Sequence, residues 1–292
     1  MRCRWASRGS IMKGKERRGR RDFERKGRME NGDRRRMEEA MAPRFALPFL
    51  LVATLLASSL VMADKSYDFY TLILQWPGSY CAHRKRCCKP TTGYPAKDFF
   101  VRFLETYDEI TGEPLSRCNK WPFDVNQVVD ERSELQQYWS SIRCPSNDGV
   151  SSWKNAWVNF GVCSNLTQPD YFTTALQLRA KVDVLSALAN NGIAPGSDLY
   201  SVEKIRRGIR EEIGVEPIIR CSQLPGIPDK MLLYEIAVCA SVDGQTLIDC
   251  PVRPYFRCSD LVYFPPFEYG MLHDTATSLD GNNPIHMPVT AQ

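Results

Sequence analysis

Phe69-Tyr70-Thr71-Leu72-Ile73-Leu74-Gln75-Trp76-Pro77-Gly78-Ser79-Tyr80-Cys81 is the stretch on which the fold turns. Phe69 to Trp76 is a short, mostly apolar run stopped by Pro77-Gly78, and it predicts a buried strand. Downstream, Phe172, Ala175, Leu178, Val182, Leu185 and Leu188 recur at spacings of three and four. With Pro169 near the start and Gly192 at the close, they predict one helix over Asp170 to Asn190. Ser201 to Ile213 predicts a second helix, with Ile205, Ile209 and Ile213 on one stripe and Gly214 as its stop. Short strands are expected near Ile218, Leu232, Thr246 and Leu261. Strands and helices without a regular βαβ alternation indicate an α+β fold. After Asp64 there is no internal repeat and no low-complexity linker, so residues 64–292 are expected to form one domain. Its Asn/Pro/Thr-rich tail after Tyr269 is expected to be loose.

The composition of the 292-residue chain, 43% hydrophobic and 25% charged, excludes wholesale disorder and a multi-span membrane protein. The formal charge of +4 is unevenly placed. Residues 1–63 carry 16 Lys/Arg against 7 Asp/Glu, and residues 64–292 carry 22 against 27. The folding part is acidic, so the net charge is no nucleic-acid footprint. Residues 1–40 form an Arg-rich extension that cannot bury enough surface to fold. A basic tail or nuclear signal is one reading of it. The preferred reading is upstream sequence ahead of a better start at Met41. From Met41, Arg44 supplies a positive n-region, Phe45 to Met62 an apolar run, and Ala63 a small residue at a cleavage position. Residues 41–63 therefore read as a secretory signal peptide, with a membrane anchor as the alternative. Cleavage leaves Asp64 at the N-terminus and no membrane segment.

Of eleven cysteines, Cys3 lies in the extension and ten lie in the mature chain. Without CxxC or a histidine at zinc-ligand spacing, five disulfides are the preferred reading over metal ligands or free thiols. One pair follows locally. Strands at Leu232 to Val238 and Thr246 to Ile248 flank an Asp243-Gly244 turn, which puts Cys239 nearly opposite Cys250. Asn165-Leu166-Thr167 is an N-glycosylation sequon.

Further motifs join the opening stretch in order: Cys87-Cys88, Gly93-Tyr94-Pro95, Leu135-Gln136-Gln137-Tyr138-Trp139 before Cys144, then Trp153, Trp157, Gly161 and Cys163-Ser164. Ile193-Ala194-Pro195-Gly196-Ser197, Ile248-Asp249-Cys250-Pro251 and Phe264-Pro265 complete the set. Together they resemble the ribonuclease T2 family, specifically its plant S-like members, over Asp68 to Phe267. The resemblance implies a disulfide-stabilised fold with a central antiparallel sheet and surrounding helices, secreted or vacuolar, monomeric, and without metal or cofactor. It also implies the pairings Cys81–Cys87, Cys88–Cys144, Cys118–Cys163 and Cys221–Cys258.

Family members cleave single-stranded RNA, not DNA, through a 2′,3′-cyclic phosphate. That reaction needs a base for the 2′-hydroxyl, an acid for the leaving 5′-oxygen and a cation for the charge on phosphorus. The family draws these from an Ile-His-Gly-Leu-Trp-Pro strand and a His-Glu-Trp-x-Lys-His-Gly-Thr-Cys helix. Here the first segment reads Val101-Arg102-Phe103-Leu104-Glu105-Thr106, with Arg102 at the histidine position and neither Trp nor Pro present. The second reads Trp153-Lys154-Asn155-Ala156-Trp157-Val158-Asn159-Phe160-Gly161-Val162-Cys163. In that register His, Glu, Lys and His become Asn155, Ala156, Asn159 and Phe160. On an α-helix these four positions share one face of about 140°.

None of the replacements exchanges protons near neutrality. Arg102 stays protonated at any workable pH, though a guanidinium holds phosphate well. His83, beside Arg84-Lys85-Arg86 in the Cys81–Cys87 loop, and His273 and His286 in the tail read as surface residues rather than relocated catalysts. Gln75, Trp76 and Tyr80 match a segment near the family's nucleobase site, and with Arg102 they form a candidate site for weak nucleotide or single-stranded RNA binding. The leading expectation is an inactive pseudo-ribonuclease with a storage, stress or defence role. An active T2 endoribonuclease and a non-cleaving RNA-binding protein are the alternatives.

Overall fold

The computed structural model describes residues 67–84, 86–227, 230–254 and 256–274. The chain divides into two units, residues 1–61 and 62–292, and all described residues belong to the second. The basic extension, the signal segment, the Asp64 start, Lys85 and His286 lie outside the described residues.

The predicted first strand is β1 (Phe69–Gln75). It is followed by α1 (Pro77–Arg84), β2 (Cys87–Cys88), β3 (Phe100–Asp108), β4 (Glu113–Leu115), α2 (Arg132–Tyr138) and α3 (Val150–Asn159). Then come α4 (Gln168–Val182), α5 (Val184–Asn190), β5 (Leu199–Ser201), α6 (Val202–Ile213), β6 (Ile218–Gln223) and β7 (Met231–Ser241). Short strands β8 (Leu247–Ile248), β9 (Leu261–Tyr263) and β10 (Leu272–His273) close the order.

Eight strands make one sheet in the order β4-β3-β1-β7-β9-β5, with β6 and β8 also paired to β7. Every pairing in it is antiparallel except β7 with β9. The β1 sequence is mostly apolar because each face of the strand meets a core. Tyr70, Leu72 and Leu74 join the main core with Leu104, Val238, Trp153, Trp157, Tyr171 and Phe172. Phe69 and Ile73 join a smaller core with Tyr107, Ile218, Ala237 and the Cys239 and Cys250 side chains. The strand ends at Gln75, and the next residue, Trp76, is buried with its indole N–H donating to Pro265 O at 2.6 Å. Gly78 then passes so close that an added Cβ would stand 2.6 Å from Pro266 O and 2.7 Å from Pro265 O. No other residue fits that approach.

The single helix expected over Asp170 to Asn190 is two helices. Asp183 sits between α4 and α5 in the left-handed region, with φ 31°, and its carboxylate accepts from Ser186 N–H at 3.3 Å. The apolar spacing runs straight through this break because both helices bury the same side. A short side chain able to cap a new helix is what permits it. Ser201 caps α6 and Gly214 ends it at φ 80°, as expected.

All five expected disulfides are present: Cys81–Cys87, Cys88–Cys144, Cys118–Cys163, Cys221–Cys258 and Cys239–Cys250. The expectation of a loose tail is corrected for its first residues. Leu272 and His273 form a parallel pair with Cys87 and Cys88, and Tyr269 Oη donates to Pro95 O at 3.0 Å. Backbone pairing to a disulfide-held strand outweighs the polar composition there. Residues 275–292 lie outside the described residues.

Candidate active-site cleft

Two β-bulges shape the site. On β3, Ile73 pairs with Phe103 and Leu74 with Val101, so Arg102 is an extra residue without a partner on β1. On β7, Arg220 pairs with Glu235 and Cys221 with Leu233, so Tyr234 is the extra residue relative to β6. Bulges re-aim side chains, and both Arg102 and Tyr234 line a cleft of about 280 Å³ at this end of the sheet. Gln75, Tyr80, Phe103, Asn155, Ser140, Ser141, Ser152 and Arg143 also line it. Among the described residues, the lining holds amides, hydroxyls, aromatic rings and two guanidiniums, with no histidine and no carboxyl group.

The Arg102 charge is engaged beneath the cleft. Arg102 Nη1 donates to Glu235 Oε1, Gln75 Nε2 donates to the same oxygen at 3.2 Å, and Arg220 Nη1 reaches Glu235 Oε2 at 3.4 Å. Glu235 is 5% exposed and Arg102 44% exposed, so the pair runs from the interior to the cleft surface. A guanidinium tied to a buried carboxylate is a weaker phosphate ligand than a free one. Arg143 is exposed and has no ion-pair partner among the described residues, and it supplies the cleft's unengaged positive charge. Neither Glu235 nor Arg143 was singled out by sequence reasoning. The available signal for Glu235 was an acidic residue inside an apolar strand.

The same signal marks Glu105, which is buried on β3 opposite Thr71. Burial pushes its carboxyl up to about 7, with Glu235 adding to the rise and Arg220 and Arg102 opposing it. The folded state thus holds the Glu105 proton over a range where the unfolded chain, near 4.5, has released it. The stabilisation is full below pH 4.5 and is lost as pH rises through about 7. The loss is on the order of 3 kcal/mol. Glu105→Gln should remain uncharged throughout. Its stability relative to the parent should rise by that amount between pH 4.5 and pH 7.5, measured by urea unfolding; a pH-independent difference would refute the assignment.

Asn155, Ala156, Asn159 and Phe160, on and just after α3, do not form one cleft face. Asn155 lines the cleft. Ala156 is fully buried in the main core. Asn159 faces Arg117, whose Nε donates to Asn159 Oδ1 at 3.0 Å, and its Nδ2 donates to Asn155 Oδ1 at 2.9 Å. Phe160 lies past the helix end and packs edge-on against Phe103, with ring centroids 5.2 Å apart. The α3 backbone is held from behind. Trp153 Nε1 donates to Trp139 O at 2.9 Å, and Gly161 lies where a Cβ would stand 2.3 Å from the Trp157 ring.

Residues 67–250 match the Ribonuclease T2 family. The chain belongs to the ribonuclease T2 family. It is 38% identical over 205 residues to Ribonuclease 3 of Arabidopsis thaliana, covering 70% of this chain and 91% of the relative. It is 30% identical over 191 residues to a ribonuclease-like storage protein of Panax ginseng, covering 65% and 77%. Among solved structures, RNase NT in complex with 5′-AMP superposes with a TM-score of 0.66 at 35% identity, covering 70% of this chain and 100% of that one.

Within this T2 fold, the candidate nucleotide site is only partly assembled. Gln75, Tyr80 and Arg102 line the cleft, whereas Trp76 is core, packed between Phe99 and Phe264. The Trp76 ring is held by that packing and its N–H by the hydrogen bond to Pro265 O. His83 is not in a loop but in the last turn of α1, where its Nδ1 meets Gln223 O at 3.1 Å and its ring lies 6.0 Å from that of Tyr234. His273 is on β10. Among the described residues, no group of three His, Cys, Asp or Glu side chains is arranged to hold a metal ion.

Proposed function

We propose that this chain is a secreted T2-family protein that does not cleave RNA and that retains the fold in a storage, stress or defence role. The observation that carries this reading is the cleft lining, which among the described residues has no histidine and no carboxyl group to exchange a proton near neutrality. General acid or base assistance contributes roughly 10²–10⁴ each, so a site without either falls below ordinary ribonuclease turnover. Glu105 has a suitable proton affinity but is buried and is not among the residues that line the cleft. The five disulfides fit an oxidising compartment, as the signal-peptide reading requires. The likeness to a ribonuclease-like storage protein supports a role without turnover.

Arg143 favours a second reading, in which the cleft holds an RNA segment or nucleotide without cutting it. Arg143, Ser140, Ser141 and Ser152 offer a cation and hydroxyls to a phosphate, and Gln75 and Tyr80 stand at the same cleft. Two measurements separate these readings. Purified protein beginning at Asp64 is expected to leave single-stranded RNA intact from pH 4 to 8. Cleavage that co-purifies with the folded protein and vanishes on denaturation would overturn inactivity. Saturable binding of 5′-AMP, abolished by Arg143→Ala, would establish the second reading. N-terminal sequencing of protein recovered from the medium is expected to give Asp64.

A further inference from the structure

A second groove lies away from the cleft. Its lining includes Trp121, Asp124, Gln127, Trp157, Asn165 and Gln168, and its volume is about 460 Å³, within the range of small-ligand sites. Its two walls are fastened together. Cys118, three residues before Trp121, is bonded to Cys163, two residues before Asn165. Asn119 Nδ2 donates to Val162 O at 2.8 Å, and Asn119 Oδ1 accepts from Trp121 N–H at 2.9 Å. Buried Gln168 fixes the floor, accepting from Asp124 N–H at 2.9 Å and donating to Asp124 O at 2.5 Å.

The groups left over point to a sugar. Trp121 is 56% exposed, although tryptophan normally buries its large face, and no other ring packs on it among the described residues. The carboxamides of Gln127 and Asn165 have no hydrogen-bond partner among the described residues. The indole N–H of Trp157, a lining residue, is also unpartnered. Aromatic faces with unpaired amides suit the apolar face and hydroxyls of a pyranose ring. Asn165 is itself the acceptor of the Asn165-Leu166-Thr167 sequon, is exposed, and sits in the left-handed region at φ 57°.

We infer that Asn165 carries an N-linked glycan whose first N-acetylhexosamine lies in this groove against Trp121. This rests on the secretory reading given above. The donor is an oligosaccharide on a lipid pyrophosphate. The bond from Asn165 Nδ2 to sugar C1 forms, the C1–O bond to the pyrophosphate breaks, and the amide proton and the lipid pyrophosphate leave. In the folded protein Thr167 Oγ1 is engaged with Asp170, donating to its Oδ2 at 2.5 Å, so the transfer belongs to the chain before it folds.

The full chain, expressed through a eukaryotic secretory pathway, tests this. Peptide mass spectrometry is expected to find hexosamine on Asn165. The rate of Trp121 oxidation by N-bromosuccinimide, read on the same peptides, is expected to rise about twofold or more after enzymatic glycan release, because one ring face becomes uncovered. Asn165→Gln should show the released rate from the outset, and Trp121→Ala should retain the glycan. Bare Asn165 on a chain beginning at Asp64 would overturn this inference and leave secretion standing. Bare Asn165 on an uncut chain would overturn both. An occupied Asn165 with unchanged Trp121 oxidation would overturn the seat in the groove.

Discussion

Glu235→Ala is expected to destabilise the protein by about 4 kcal/mol, within the range for removing one partner of a buried ion pair. Three donors, from Gln75, Arg102 and Arg220, converge on this one carboxylate. Arg102 is half in water and rehydrates when the partner is lost. Arg220 does not, because its side chain is 20% exposed and its Nε is already without a partner. Most of the cost therefore falls on Arg220, and Arg220→Met combined with Glu235→Ala should recover much of it. Arg102→Met alone should cost less, about 1 kcal/mol, because Arg102 is 44% exposed and Gln75 and Arg220 still donate to Glu235. Chemical denaturation of the three variants checks the order. Equal losses for Arg102→Met and Glu235→Ala would show that the cleft-facing pair, rather than the buried one, holds the sheet. The Glu105 carboxyl is raised in part by Glu235, so Glu235→Ala should also lower the pH at which Glu105 ionises.

The parts of this molecule legible in the sequence are those set by short-range chemistry. Pro77-Gly78 ended β1, Ser201 and Gly214 bounded α6, and the turn at Asp243-Gly244 brought Cys239 to Cys250. The other four disulfides close over longer or less regular loops, and only the family likeness indicated them. The break at Asp183 was hidden because apolar periodicity reports which side is buried and is blind to a single left-handed residue. At the site, Arg102 and Asn155 were legible residue by residue, and both line the cleft. The fate of Arg102 was not. Its bulge is a matter of register between β1 and β3, and its partner Glu235 is 133 residues away. Helical spacing places Asn155, Ala156 and Asn159 about 100° or less apart but does not say where the core boundary falls, and here Ala156 is inside it while Asn155 lines the cleft. Phe160 follows the last residue of α3.

Introducing histidines at positions 102, 155 and 160 is expected to produce the largest change in activity. The variant Arg102→His/Asn155→His/Phe160→His should cleave single-stranded RNA on the order of 10²–10⁴ faster than the parent, with products ending in a 2′,3′-cyclic phosphate. Positions 102 and 155 line the cleft, so imidazoles introduced there border the space open to a substrate. Position 160 starts behind Phe103, and its imidazole must replace the edge-on ring contact with a turn toward the cleft. Each single change should give little, because acid and base act on one transition state and their effects do not add separately. Ala156→Glu is the change the fold resists. The residue is fully buried, and a glutamate there combines overpacking with an unpaired charge. Adding it should lower stability by at least about 2 kcal/mol, and should help the rate only if α3 shifts outward. The rate of the three-histidine variant should peak near the ordinary imidazole range, between about pH 5 and 7, where one ring is charged and another neutral. A pH profile identical in parent and variant would mean that the cleavage comes from elsewhere. A folded three-histidine variant with no gain at any pH would mean that the cleft does not seat a phosphate against positions 102 and 155, and that proton-transfer groups alone do not make it catalytic.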